Sequence, residues 1–224
     1  LKPFFWRAPT DNDLGNGMPE RCDMWRNAHD ELIMQSLDTS VIENIKVVNA
    51  KYLHEKSGSS IELNYKIYGN GILKIKQTLY PSGAENPELP RFGMKVSVNE
   101  TFDNLEWFGR GPHESYWDRK TSAKIDRYKG KVIDQTYKYV RPQETGNKTD
   151  IRWLALHNGS IGLMVKGLPV FDGSVHNYDY AILDYYKGSQ RHGKIDIIKG
   201  NQIDLIIDYK QMGVGGDNSW GAKP

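Results

Sequence analysis

Apolar residues in this chain recur mostly at every second position, in short runs broken by glycine, asparagine and proline. Such a period puts one face of a strand inward and the other outward. It predicts strands over Val41 to Leu53, Ser60 to Tyr68, Gly71 to Tyr80, Arg91 to Val98 and Asn104 to Gly109. Gly69–Asn70–Gly71 reads as a hairpin turn between two of them. Asn158–Gly159 joins Ile151 to Leu156 with Ser160 to Lys166, and Gly200–Asn201 separates Lys194 to Ile198 from Gln202 to Asp208. Helical spacing is confined to Pro19 to His29, where Met24, Trp25 and Ala28 share a face, and to a turn around Tyr178 to Leu183. Many short strands with regular turns predict an all-β antiparallel sandwich or barrel, not a parallel sheet with crossover helices.

Composition narrows the partners. The 30 basic and 28 acidic residues are interspersed and leave a formal charge of +2. No basic stripe suggests nucleic acid, and no apolar run approaches membrane-spanning length, so neither partner is expected. The single cysteine, Cys22, excludes an internal disulfide and a cysteine metal cluster. The six histidines, His29, His54, His113, His157, His176 and His192, show no paired ligand spacing, so no metal site is expected. Pro81 to Pro90 is too short for a domain boundary. One domain spanning 1–224 is therefore expected, and its start at Leu1 suggests a piece of a longer polypeptide. Compartment stays open between bacterial cytoplasm and periplasm.

The segment MGVGGDNSW, Met212 to Trp220, is the strongest candidate for chemistry. Gly213, Gly215 and Gly216 do not suit a strand or helix interior. They lead through Asp217, Asn218 and Ser219 to Trp220. An indole face can stack on the C–H face of a pyranose while polar neighbours bond its hydroxyls. A loop tryptophan tucked onto its own core is the alternative.

Three other segments accompany it: FWRAPTDNDLG (Phe5 to Gly15), WFGRGPHESYWDR (Trp107 to Arg119) and YVRPQETGNKTDIRWLAL (Tyr139 to Leu156). In this order and at these distances the four resemble the C-terminal small-chain domain of family 2 β-galactosidases. The resemblance covers about Phe5 to Trp220. It implies an antiparallel supersandwich similar to galactose mutarotase, with one or two short helices. It also implies a parent enzyme that hydrolyses terminal β-D-galactosides such as lactose with retention. Retention needs two carboxyls roughly 5 Å apart. In the family both lie in a preceding (β/α)8 barrel, so no catalytic residue is expected here, and the chain alone should be inactive. The resemblance makes Trp220 the sugar contact, with Asp217 and Ser219 beside it, and makes the preceding domains of the same polypeptide partners. Cofactors are expected to be absent from this chain, with Mg or Na left to other domains of the parent. Homo-oligomerisation stays open.

Other residues allow two readings each. Gly111, His113 and Glu114 could form a mobile loop at the active-site mouth, or Glu114 and Arg119 could pin a structural turn. Arg7, Asp11, Asn12 and Asp13 could hold a cation, but helix capping is favoured. Arg141, Glu144 and Asn147 suit either a structural network or an interdomain contact. His176 could touch sugar, though a satisfied structural histidine is favoured. Trp6, Trp107, Phe108 and Trp117 are candidates for an exposed aromatic patch. Two further functions remain: a self-sufficient carbohydrate-binding module, and an aldose epimerase using His176 or His113 with a glutamate.

Overall fold

The computed structural model describes residues 1–83, 85–184 and 199–216. In chain order the strands are β1 (Lys2–Phe4), β2 (Ile33–Ile42), β3 (Ile45–His54), β4 (Ser59–Ile67), β5 (Leu73–Tyr80), β6 (Arg91–Asn99), β7 (Asn104–Gly111), β8 (Lys124–Lys131), β9 (Lys148–His157), β10 (Gly162–His176) and β11 (Gln202–Gln211). Two short helices, α1 (Asp11–Asn16) and α2 (Met18–Arg21), lie between β1 and β2. Every strand pairing among the described residues is antiparallel, consistent with the all-β sandwich expectation. The expected run Lys194 to Ile198 lies outside the described residues.

By contact the chain divides into two compact units, one of Leu1–Asp23 with Leu89–Pro224 and one of Met24–Glu88. The smaller unit is a four-stranded meander, β2-β3-β4-β5. Its register aligns Met34, Tyr52, Ile61 and Leu79 in one row and Leu37, Ala50 and Leu63 in the next, so one face is apolar. The opposite face carries Lys51 and Glu62, paired at 2.7 Å, and Asn64, which donates to Asn49. The expected strand Val41 to Leu53 is two strands. A turn at Glu43–Asn44, both residues with positive φ, reverses the chain there.

The expected helix Pro19 to His29 is also corrected. α2 stops at Arg21, and a 3-10 turn, Asp23–Trp25, replaces its continuation. Trp25 stacks on His54 with ring centroids 5.5 Å apart and donates its indole N–H to the Pro87 carbonyl. Those contacts fix a course that helical geometry does not supply.

The larger unit holds a seven-stranded sheet in the order β1-β6-β11-β10-β9-β7-β8. Its core lies on the face bearing Leu105, Trp107, Leu154, Leu156, Ile203 and Leu205, all buried. A second cluster of Phe4, Ala8, Tyr178, Tyr180, Leu183 and Ile206 packs separately. The turn expected around Tyr178 to Leu183 is a 3-10 turn, Tyr180–Leu183, capped by the Asp179 side chain.

Burial on the core face sets a stability contrast. Leu154 is buried among Trp107, Leu156 and their neighbours, whereas Met164, on the opposite face of β10, is exposed. Leu154→Ala is expected to cost about 2–5 kcal/mol. Met164→Ala is expected to stay within about 0.5 kcal/mol. Urea unfolding midpoints check both.

Candidate functional site

In the larger unit, three of the segments singled out in the sequence meet around the fourth, at its glycine loop Met212–Gly216. β1 delivers Phe5, Trp6, Arg7 and Ala8 into the interior. Thr10 then caps α1. Its hydroxyl accepts from the Asp13 N–H at 3.1 Å, and its own N–H donates to the Asp13 carboxylate at 2.9 Å. Asp13 also pairs with Arg7, at 2.7 Å through Nη2 and 3.0 Å through Nε. Both side chains are fully buried. Of the two readings for Arg7 and Asp13, the structure takes the capping one.

The rest of the Arg7 guanidinium faces the glycine loop. Nη1 donates to the Met212 carbonyl at 2.5 Å and Nη2 to the Gly213 carbonyl at 2.7 Å. Asn12 Nδ2 donates to the Val214 carbonyl at 2.7 Å. The Gly215 N–H donates to Asp118 Oδ2 at 2.9 Å. Two glycines are required by these approaches. A Cβ at Gly213 would strike the Asp118 carboxylate and come within 2.8 Å of the Trp117 indole nitrogen. Gly216 has φ +97, and a Cβ there would sit 2.9 Å from Asn12 Nδ2. Asp217, Ser219 and Trp220, which continue this loop in sequence, lie outside the described residues.

Glu114 is an anchor that joins two of the segments. Its Oε1 accepts from Arg119 Nη2 at 2.5 Å and from the Tyr139 hydroxyl. Its Oε2 accepts from the Thr145 hydroxyl at 3.1 Å and the Gly146 N–H at 2.8 Å. Gly111 is buried, and a Cβ there would press on the rings of Tyr128 and Trp107. His113 is exposed and meets Ser122 Oγ at 3.1 Å. Asp11 is held from the facing loop by Arg141 at 2.8 Å and by Gln143 at 3.1 Å.

Beneath these loops lies a buried charge network. Arg91 and Glu144 face each other at 3.3 Å, and Arg91 Nε lies 2.9 Å from Asp208 Oδ2, all three side chains fully buried. Burial disfavours the Arg91 charge, but Asp208, Tyr180 and Glu144 outweigh it and hold its pKa above the usual value. The guanidinium also reaches the Trp6 carbonyl and the Tyr180 hydroxyl, and Tyr180 donates to Glu144. Asn147 donates to the Ser115 carbonyl at 2.8 Å. Glu144 and Asn147 thus belong to a structural network. The sequence gives no sign of the roles of Arg91, Tyr180 and Asp208, because a lone charge at either end of an apolar run reads as a solvated strand end and a lone tyrosine as ordinary packing.

His176 is fully buried, with Nδ1 2.9 Å from the Tyr178 hydroxyl and Nε2 3.0 Å from Ser174 Oγ. Burial first, then the charges of Arg91, Lys148 and Lys95, push its pKa down to about 3. It is a satisfied structural histidine, buried and partnered at both ring nitrogens. The aromatic patch is corrected as well. Trp6 and Trp107 are 3% and 2% exposed, with their indole N–H groups bonded to Asp184 and to the Arg110 carbonyl. Phe108 is half-buried beneath Arg152, and of the four only Trp117, 52% exposed, is on the surface.

The His176 environment generates a pH prediction. A histidine that titrates near 6.5 unfolded and about 3 folded binds its proton more readily in the unfolded chain. Its contribution to stability is therefore present above about pH 6.5 and is lost as pH falls toward 3. Burial raises Asp172 to about 7 and Asp208 to about 8, and both contribute slopes of the opposite sign, so the His176 slope should appear between about pH 7 and pH 4 as the difference in denaturant-unfolding free energy between the wild type and His176→Gln.

Comparison with known proteins agrees with this assembly of segments. The family described as "Beta galactosidase small chain" matches residues 1–224. A β-galactosidase of Priestia megaterium is 41% identical over 224 residues, covering 100% of this chain and 21% of that protein. Those of Halalkalibacterium halodurans and Vibrio cholerae are each 31% identical over 98% of this chain and 22% of their own length. The chain thus spans about a fifth of the length of these relatives. With the whole of its sequence matched, the chain belongs to the β-galactosidase small-chain family.

Proposed function

We propose that this chain is a non-catalytic domain of a longer retaining β-galactosidase and completes the sugar pocket through the Trp220 loop. Its substrate class is the terminal β-D-galactoside. Trp220 stacks on the sugar face, Asp217 and Ser219 offer hydrogen bonds, and the loop with Gly111, His113 and Glu114 borders the mouth. The catalytic carboxyl pair comes from the rest of the polypeptide. The carrying observation is the convergence of Arg7, Asn12 and Asp118 on the loop that continues to Trp220.

The state of the carboxylates supports the same division of labour. Asp13 is committed to Arg7, Glu144 to Arg91, Asp11 to Arg141 and Glu114 to Arg119. A nucleophile and a general acid need carboxyls directed at a glycosidic bond. These four are directed at guanidinium groups within the chain.

The test combines two measurements. The purified chain alone should release no chromophore from a chromogenic β-galactoside. In the complete polypeptide, Trp220→Ala should raise KM roughly 2- to 12-fold, the range that 0.5–1.5 kcal/mol of aromatic stacking converts to. The melting temperature should be little changed. Turnover by the chain alone, or a Trp220→Ala variant that unfolds while its folded remainder keeps the original KM, would overturn the reading.

A further inference from the structure

The chain binds four consecutive residues of its glycine loop with side chains that come from elsewhere. Arg7 takes the carbonyls of Met212 and Gly213, Asn12 takes that of Val214, and Asp118 takes the N–H of Gly215. The Met212 N–H is held too, by the Pro90 carbonyl at 2.9 Å. Each clamping side chain is fixed in turn. Arg7 is locked by its two bonds to Asp13. Asn12 sits in the first turn of α1, which Thr10 caps. Asp118 lies in a tight turn closed by reciprocal backbone bonds between Tyr116 and Arg119, at 3.1 and 2.9 Å.

A segment with three glycines in four positions has wide conformational freedom when unbound. Left free, it would have to be ordered each time a sugar docked, and affinity would fall by that cost. Ordinary packing would not select this composition. The glycines are needed because the clamp comes so close: side chains at Gly213 and Gly216 would meet Asp118 and Asn12. The glycines therefore admit the clamp, and the clamp removes the freedom the glycines bring.

We propose that Arg7, Asn12 and Asp118 are positioning residues that hold the Met212–Gly216 loop in its substrate-ready course and so set the departure of the chain toward Trp220. This rests on the reading of Trp220 as the sugar contact. None of the three need touch the sugar.

The test uses the complete polypeptide, with Asn12→Ala and Asp118→Ala as the perturbing variants. Arg7 is left alone because its removal would strand Asp13 in the interior. Amide exchange in 212–216 should rise at least tenfold in both variants, with the strands β9 and β10 unchanged. KM for a chromogenic galactoside should rise by about threefold or more, as loss of preorganisation requires, while kcat moves less. Asp118→Asn keeps an acceptor oxygen and should stay near the original in both readouts. In a Trp220→Ala background, the same substitutions should change KM by less than about 1.5-fold, because coupled residues are not additive. Unchanged exchange in 212–216 would overturn the clamp itself. Raised exchange with fully additive KM effects would overturn the positioning role while leaving the sugar contact standing. No KM change in Trp220→Ala alone would overturn the sugar contact, and the positioning role with it.

Discussion

The guanidinium of Arg91 is the constraint around which the larger unit is organised. It is fully buried, yet it touches Glu144, Asp208, Tyr180 and the Trp6 carbonyl. Those partners come from the loop before β9, from β11, from the 3-10 turn after β10 and from the chain leaving β1. The rings of Phe4 and Tyr180 lie 5.3 and 5.4 Å from its charge centre. A buried charge is tolerated only with such compensation, and removing one partner is more damaging than the pair is stabilising. Neutralising Arg91 would strand Glu144 and Asp208 together in the interior. The segments are thereby held in one arrangement, and on it the next layer is built.

That layer is the Arg7–Asp13 pair, one short step along the chain from Trp6. It does two jobs with one set of atoms, because Asp13 closes the capping box of Thr10 on α1 while Arg7 reaches the glycine loop. Glu114 does the same on the other side by joining Arg119, Tyr139, Thr145 and Gly146. The order of dependence runs from buried charge to loop course to the segment that carries the candidate sugar contact. Each level spends few residues on sugar chemistry and many on holding backbone in place.

Much of this was readable from residues, and the failures have identifiable causes. The period of two located β4 to β7 to within two residues at each end, since β4, β6 and β7 each bury residues on one face and β5 keeps the same alternation. β2 escaped notice because a register irregularity between Met34 and Ser36 breaks its alternation. β8, reading KIDRYKGK, is an edge strand with one neighbour and little to bury. The glycine loop stood out in the sequence, but the reason for its glycines did not, since Asn12 and Asp118 lie about two hundred and one hundred residues away. Trp6 and Trp107 lie in the segments that carry the family resemblance and so read as candidates for an exposed contact patch, whereas the fold turns both inward and bonds their N–H groups. Composition reports how much aromatic surface a chain carries, and only the register decides which of it faces out.

The role proposed for this family member is to contribute its glycine-loop segment to a sugar pocket whose chemistry lies elsewhere in the polypeptide. The most direct test is a crystal structure of the complete polypeptide with a galactoside analogue bound. The Trp220 indole should lie in van der Waals contact with the sugar, at about 3.5–4 Å between carbon atoms, with Arg7, Asn12 and Asp118 still bonded to residues 212–215. A bound galactoside with no atom of residues 212–220 in contact would contradict it.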